Sequence, residues 1–242
     1  MKIYAYMERG AGKPYSEDTM LVNNTILKDG FYTFDIASNY IAIADGVGGN
    51  AGGREASEFV LERCQNSLSG KDLRSVILNI NEELLNYAKS NSGMEQMATT
   101  LSVILFNPGS HAKIAHIGNT RIFAIQGEYL KQLTKDHTTV ELLRSRGDFD
   151  AAEKAPKNEI TACMGSGTSD RISQLQITEI EKDYSGYIIT SDGIHDYLDI
   201  EIIEDFIIKG DLSSKAFEGL AKKANNNGSN DDKSIIIIKI WE

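Results

Sequence analysis

Long apolar runs, paired cysteines and an excess of basic charge are all missing from this 242-residue chain. Each gap excludes a class of protein. No stretch approaches the roughly 20 apolar residues that cross a bilayer, and the longest run near the end, SIIIIKIW at 234–241, is strand-sized. The opening MKIYAYMERGAG lacks the apolar core of a signal peptide, so a cytoplasmic protein with no membrane partner is expected. The two cysteines, Cys64 and Cys163, stand far apart with no CxxC pattern and read as buried thiols of a reducing compartment. Lys and Arg total 25 against 35 Asp and Glu, a net charge of -10. With no basic cluster to offset that charge, nucleic acid is not an expected partner. Dispersed acidity serves solubility, but acidic residues gathered at one place would need cations.

What is present is a chain with 41% hydrophobic residues, long enough to bury a sizeable core. It shows no internal repeat and no low-complexity stretch. Short β-branched runs bounded by Gly, Asn, Asp or Ser predict strands at TMLVNN (19–24), FYTFDI (31–36), YIAIAD (40–45), TTLSVILF (99–106), HAKIAHIG (111–118), TRIFAIQ (120–126), YLKQL (129–133), GYIITSD (186–192) and the terminal SIIIIKIW. Two amphipathic stretches predict helices. The first repeats its apolar face at Ala56, Phe59, Val60 and Cys64. The second does so at Leu73, Ile77, Ile80, Leu84 and Tyr87, with Asp72 as its cap. Further helices are expected near 199–208 and 213–225. Gln126-Gly127 reads as a hairpin turn, and so does the GNTR stretch at 118–121. Hairpin-joined strands with helices grouped outside them imply an α+β fold. Residues 137–170 hold a short helix and irregular chain, a segment suited to a flap.

The stretch IAIADGVGGNAGG, 41–53, runs from a strand into a glycine-rich loop. Gly46, Gly48 and Ala51 match the spacing of a dinucleotide fingerprint. The second helix follows without an intervening parallel strand, however, and Asp45 would repel a pyrophosphate. No GK[ST] is present, so the loop is not a P-loop either. A carboxylate at a strand end instead suits a hard divalent cation. One carboxylate holds such an ion poorly, so partners are expected at other strand ends. Glu17 and Asp18 stand at the start of a strand, Asp192 at the end of another before Gly193, and Asp231 and Asp232 just before the last. Singly each is an ordinary turn signal; together they point to a metal cluster.

At these residues the chain resembles a family. SED, IADGVGGNAGGREAS, ATTLSVILF, IAHIGNTRIFAIQGEYLKQLTKDH, TSDGIHD and NDDKSIIII occur in the order and spacing of the metal-dependent type 2C serine/threonine protein phosphatases, in their compact bacterial form. The resemblance spans essentially the whole chain. It implies a single catalytic domain over 1–242, with a flap at about 137–170. The implied fold is a β-sandwich of two antiparallel sheets flanked by α-helices on both faces, with a two-metal site at one end. By the same resemblance Asp45 bridges both ions, and Glu17 and the Gly46 carbonyl bind one of them. Asp192 and Asp231 bind the other, and Asp18 holds metal-bound water. Oxygen ligands suit Mn²⁺ or Mg²⁺, and two such ions lower the pKa of a water from about 15.7 towards 7 while screening the phosphate. The expected catalytic residues are Asp45, Asp192 and Lys13. No cysteine or serine nucleophile is needed, and His111, His116, His137 and His195 read as structural or surface residues.

The chain departs from the family pattern in four places. Lys13 stands where the family commonly has a phosphate-gripping Arg; it keeps the charge but loses the two-pronged contact, and Arg9 is the alternative grip. Asn119 replaces the Asp of GDSR, so a third metal is not expected. Asp231-Asp232 replaces the final DN. Val47 occupies the place of a histidine proposed as general acid, which leaves water to protonate the leaving oxygen. The expected function is hydrolysis of phosphoserine and phosphothreonine in proteins, substrates of a bacterial Ser/Thr kinase, by a monomeric enzyme. The alternatives are a pseudophosphatase with a regulatory or binding role and a phosphomonoesterase for small substrates.

Overall fold

The computed structural model describes residues 1–37, 40–47, 52–68, 72–106 and 112–240. Its elements run β1 (Lys2–Glu8), β2 (Asp18–Val22), β3 (Thr25–Leu27), β4 (Gly30–Asp35), β5 (Tyr40–Asp45), α1 (Gly53–Ser67), α2 (Leu73–Ser90), β6 (Ala98–Thr99), β7 (Leu101–Phe106), β8 (Ala112–Ile117), β9 (Arg121–Gln126), β10 (Tyr129–Gln132), α3 (Thr139–Ser145), α4 (Phe149–Lys154), β11 (Met164–Gly165), a 3-10 turn at Asp170–Gln174, β12 (Gln176–Glu179), β13 (Gly186–Thr190), α5 (Asp192–His195), α6 (Ile200–Lys209), α7 (Ser214–Asn226) and β14 (Lys233–Lys239). One sheet has the order β10-β9-β13-β14-β1-β4 and the other β12-β8-β7-β5-β2-β3, with β6 and β11 as a small separate ribbon. The pairings within both sheets are antiparallel. This is the expected α+β sandwich.

The strand sequences explain the layering. Successive side chains on a strand point to opposite faces, and the isoleucines of β14 divide accordingly. Ile236 and Ile238 pack between the sheets with Ile41, Ile43, Ile104 and Ile114. Ile235 and Ile237 pack under α6 and α7 against Ile203, Ile207, Phe217 and Leu220. On the far side Ala42 and Ala44 of β5 meet Ala56 and Val60 of α1 and Ile77 and Leu84 of α2. Both faces of each sheet are therefore covered, which is why an unbroken apolar run rather than an alternating one forms the central strand. Among the described residues no helix is long and apolar enough to cross a membrane.

Two readings of the sequence change. KIYAYME, not expected as a strand, forms β1 and lies between β14 and β4. Ile3, Ala5 and Met7 face the other sheet, while Tyr6 joins the helix side; its charged ends and its tyrosines mask the pattern. The GNTR stretch is not a hairpin turn, because β8 and β9 belong to different sheets. It is a crossover between them, and Gly118 makes it possible at φ 108, where a Cβ would lie 2.5 Å from Thr100 Cβ. Gln126-Gly127 does join a hairpin, β9 to β10.

The topology delivers all the acidic motifs to one edge. Asp18 opens β2 directly opposite Asp45, which closes β5. Thr190 at the end of β13 pairs with Ile235 near the start of β14, so Asp192 and Asp231 emerge together. Phe217 anchors the helix layer behind that edge, with ring centroids 5.7 Å from Tyr6, 5.3 Å from Phe31 and 5.0 Å from Phe206. Phe217→Ala is expected to cost about 3–5 kcal/mol and to lower the melting temperature by roughly 10 °C in thermal denaturation. A loss below about 1 kcal/mol would show that this layer is not part of the cooperative core.

Candidate metal centre

Backbone hydrogen bonds fix the acidic edge before any side chain acts. The Asp45 N–H donates to Thr100 Oγ1 at 3.0 Å, and its carbonyl accepts from Thr100 N at 2.8 Å and Thr99 Oγ1 at 2.9 Å. The Gly46 N–H donates to the Glu17 carbonyl at 3.2 Å, which also accepts from Ser57 Oγ at 2.6 Å. These bonds draw the ends of β2 and β5 and the first turn of α1 together. Gly46 has no room for a side chain, since a Cβ would lie 2.3 Å from the Gly53 carbonyl oxygen. Gly48 and Ala51 of the same loop lie outside the described residues. Asp192 is the first residue of α5, and Gly193 beside it packs so closely that a Cβ would sit 1.9 Å from the Asp232 carbonyl oxygen.

Asp232 ties the opening chain to the last strand. Its buried carboxylate accepts from Gly10 N at 2.6 Å and from Glu17 N at 2.8 Å. Asp18 is buried too and accepts from Ser234 Oγ at 2.7 Å. Asp192 accepts from Asn119 Nδ2 at 2.8 Å. The amide at position 119 thus serves Asp192 as a donor and adds no negative charge. Val47 donates its N–H to the Ala98 carbonyl at 3.0 Å. His116, His137 and His195 are buried. Loss of water contact depresses all three, with His116 brought to about 3 and His137 to about 4, so they are neutral at pH 7. His111 lies outside the described residues.

Lys13 sits among the carboxylates. Its Nζ lies 2.6 Å from Asp231 Oδ1, 2.9 Å from Asp232 Oδ2 and 3.1 Å from Glu17 Oε2. Burial works against its charge, but the hydrogen bonds to Asp231 and Asp232 outweigh it and hold the ammonium above its usual pKa. Arg9, the other sequence-derived candidate, is exposed and donates from Nη1 to the Pro14 carbonyl at 3.0 Å. An ammonium has three donors, and all three are spent on Glu17, Asp231 and Asp232. Asp45 is left out. Among the described residues no donor reaches its carboxylate, and loss of water contact followed by the charges of Asp18, Asp192, Asp231 and Asp232 pushes its pKa well above the ordinary range. Burial, then Asp232, pushes Asp18 up to about 8; burial, then Asp231, pushes Asp192 up to about 7.

That pattern fits a cation site. The donors are all oxygens, their charge exceeds what one lysine balances, and three of them already close on a positive group. No three of the described acidic or imidazole side chains close on one point as a finished ligand shell; the lysine occupies the place where they converge. The sequence pattern located every one of these acids except for the part played by Asp232. The helper hydroxyls of Ser57, Thr99, Thr100 and Ser234 carried no signal of their own, because a buried Ser or Thr in a strand is commonplace.

Comparison with known proteins decides the family. The model of Protein phosphatase 2C matches residues 19–229. The chain belongs to the protein phosphatase 2C family. It is similar to Serine/threonine phosphatase stp of Listeria monocytogenes, 28% identical over 214 residues that cover 82% of this chain and 83% of that one. It is also similar to Protein phosphatase PhpP of Streptococcus pneumoniae, 28% identical over 84% of this chain and 86% of that one. Two solved structures share the fold. Serine/threonine phosphatase Stp1 from Staphylococcus aureus aligns at a TM-score of 0.81 and 24% identity, over 99% of this chain and 95% of that one. The PstP catalytic domain, solved with 2 manganese ions, aligns at 0.77 and 22% over all of both chains. As a member of this family the chain is a serine/threonine protein phosphatase, a hydrolase acting on phosphorylated proteins.

The crowding of charge has a measurable consequence for the phosphatase without metal. Carboxyls whose folded pKa lies above the unfolded value of about 4 bind more protons folded than unfolded. Stability therefore falls as pH rises from about 4 towards the 8 of Asp18. In chelator-treated protein, Asp45→Asn is expected to raise the melting temperature at pH 7.5 by about 2–4 °C for each kcal/mol of relieved repulsion. The same substitution is expected to shrink the further rise on adding Mn²⁺. A melting temperature in chelator that is lowered by Asp45→Asn would show that Asp45 is not held against a repulsive field.

Proposed function

We propose that this phosphatase hydrolyses phosphoserine and phosphothreonine with a water activated at two divalent ions held by Glu17, Asp45, Gly46, Asp192 and Asp231. The observation that carries the reading is Asp45, a carboxylate that no donor among the described residues reaches and that stands amid four others. When bound, the ions activate the attacking water and neutralise the phosphate. Asp45 would be shared by both ions, Glu17 and the Gly46 carbonyl would hold one, and Asp192 and Asp231 would hold the other. Asp18 would hold metal-bound water. Mn²⁺ is supported by the PstP structure solved with 2 manganese ions, and the oxygen-only donor set suits Mg²⁺ equally. Asn119, already bonded to Asp192, argues against a third ion.

In this reading residues 1–242 act as one catalytic unit, a monomer in the cytoplasm with segment 137–170 as its flap. The substrates are those of a bacterial Ser/Thr kinase. The substrate phosphate is gripped by Lys13, once cations have taken over Glu17 and Asp231, two of the three carboxylates that hold it, with Arg9 as the alternative. The leaving oxygen takes its proton from water, since Val47 has none to give.

Assay against p-nitrophenyl phosphate and a phosphothreonine peptide, with and without Mn²⁺, tests the reading directly. Turnover should need the ion, and Asp45→Ala or Asp192→Ala should lower it more than about 100-fold, beyond the loss typical of residues that only support a ligand. Activity in chelator, or a mild loss in either variant, overturns the ligand assignment.

Lys13→Ala should raise KM more than it lowers kcat, because the ions carry most of the transition-state charge; Lys13→Arg should keep or improve activity. An unchanged KM in Lys13→Ala beside a large rise in Arg9→Ala would move the grip to Arg9.

A further inference from the structure

The 9–17 loop between β1 and β2 closes on one carboxylate. Asp232 Oδ1 accepts from Gly10 N at 2.6 Å, and Oδ2 accepts from Glu17 N at 2.8 Å and from Lys13 Nζ at 2.9 Å. Lys13 N donates to the Gly10 carbonyl at 3.2 Å, so a turn joins the first of these contacts to the lysine. Asp232 itself is fixed on every side. Its side chain is buried, its N–H donates to Asp231 Oδ1 at 2.9 Å, and its carbonyl accepts from Ser191 Oγ at 3.4 Å. Two of the departures from the family pattern, at positions 13 and 232, therefore touch each other.

The three partners of Lys13 are not equivalent. Glu17 and Asp231 belong to the proposed ligand set. Asp232 does not, and both of its oxygens are already bonded to backbone amides. The lysine ammonium rides on a flexible four-carbon stem, and the side chain is partly exposed, so without a fixed partner it spreads into solvent. A carboxylate is the group that can fix it at this place. Three donors converge on two acceptor oxygens, whereas an amide offers one oxygen and one NH₂. An amide at position 232 would set its NH₂ either against the Gly10 N–H or against the Glu17 N–H and the Lys13 ammonium together.

We propose that Asp232 is a positioning residue for the substrate phosphate and acts through Lys13. It keeps the ammonium at the metal edge when cations take Glu17 and Asp231, and leaves two of the three ammonium donors for phosphate oxygens. This rests on the phosphatase reading above, with Lys13 as the grip. The anchoring bond joins two charged groups, a contact whose loss is worth about 10-fold or more in binding. The same carboxylate holds both ends of the 9–17 loop, so the aim of Lys13 is set by the same anchor as the backbone of Glu17.

The test is a double-mutant cycle on the Mn²⁺-loaded protein, with calorimetric binding of inorganic phosphate beside KM and kcat for a phosphothreonine peptide. Asp232→Asn is expected to weaken phosphate binding and raise KM about 10-fold when Lys13 is present. In Lys13→Ala the same substitution should change neither by more than about 2-fold. Any loss of kcat or of Mn²⁺ affinity that arises at the Glu17 amide should be equal in the two backgrounds. If thermal denaturation shows that Asp232→Asn does not fold, Asp232→Glu carries the same cycle, since it keeps both oxygens and displaces them by one methylene. An equal loss of phosphate affinity with and without Lys13 overturns the proposal, and so does unaltered phosphate binding in Asp232→Asn. Metal-dependent turnover, and so the phosphatase reading, stands in either case. If positions 13 and 232 are coupled in phosphate binding yet the wild-type protein never turns over peptide, the positioning role holds and the phosphatase reading fails.

Discussion

Like charges repel, and this fold forces six acidic side chains, Glu17, Asp18, Asp45, Asp192, Asp231 and Asp232, onto one edge of a sandwich. Water cannot screen them fully there, and one lysine balances only part of the charge. Such a site destabilises the folded chain by itself. Its persistence demands stability from elsewhere, and the four layers supply it. Three apolar clusters, one between the sheets and one under each pair of helices, bury the isoleucines and leucines of nearly every strand. The stability–function trade-off is thus divided in space, with the core in the layers and the strain at their rim.

The carboxylates of the rim are positioned by backbone and by uncharged side chains rather than by one another. Asp45 is held through Thr99 and Thr100, Asp18 through β2 and Ser234, and Asp192 through Asn119. Asp232 spends its carboxylate on two backbone amides, Gly10 and Glu17, and so converts a repulsive neighbour into a strut. Two close approaches, at Gly46 and Gly193, set the spacing, because any side chain there would push the strand ends apart. Positions fixed in this way do not relax when charge is missing, so the proposed ligands stand near one another in advance, with Lys13 holding the place where three of the acids converge.

Much of this was legible in the sequence, for a physical reason. An Asp after an apolar run and before Gly is both a turn signal and a metal-ligand signal, and its repetition at Asp45 and Asp192 is what separated the two meanings. The helices at 53–67 and 73–90 were plain because their apolar spacing is periodic. What stayed hidden were features that depend on partners distant in sequence. KIYAYME is a central strand only because β14 and β4 flank it. GNTR has turn residues whether it closes a hairpin or crosses between sheets, and only the sheet assignment distinguishes them. Lys13 reads as a free cation in sequence, yet its three partners include two acids more than two hundred residues away.

The segment of α3 and α4 obeys a different rule. No residue of α3 is buried and only Ala152 of α4 is, so little of the core's stability depends on its side chains. A segment so lightly packed belongs to the low-stability end of the structure and tolerates substitution that the rim does not. Metal chemistry at the rim is indifferent to which phosphoester arrives, because it acts on oxygens common to all of them. Discrimination therefore has to come from groups that face the rim from outside it. In the proposed reading those groups lie on segment 137–170, where Arg144 and Val140 line a cavity beside α3 and are free to change without disturbing the carboxylates of the rim.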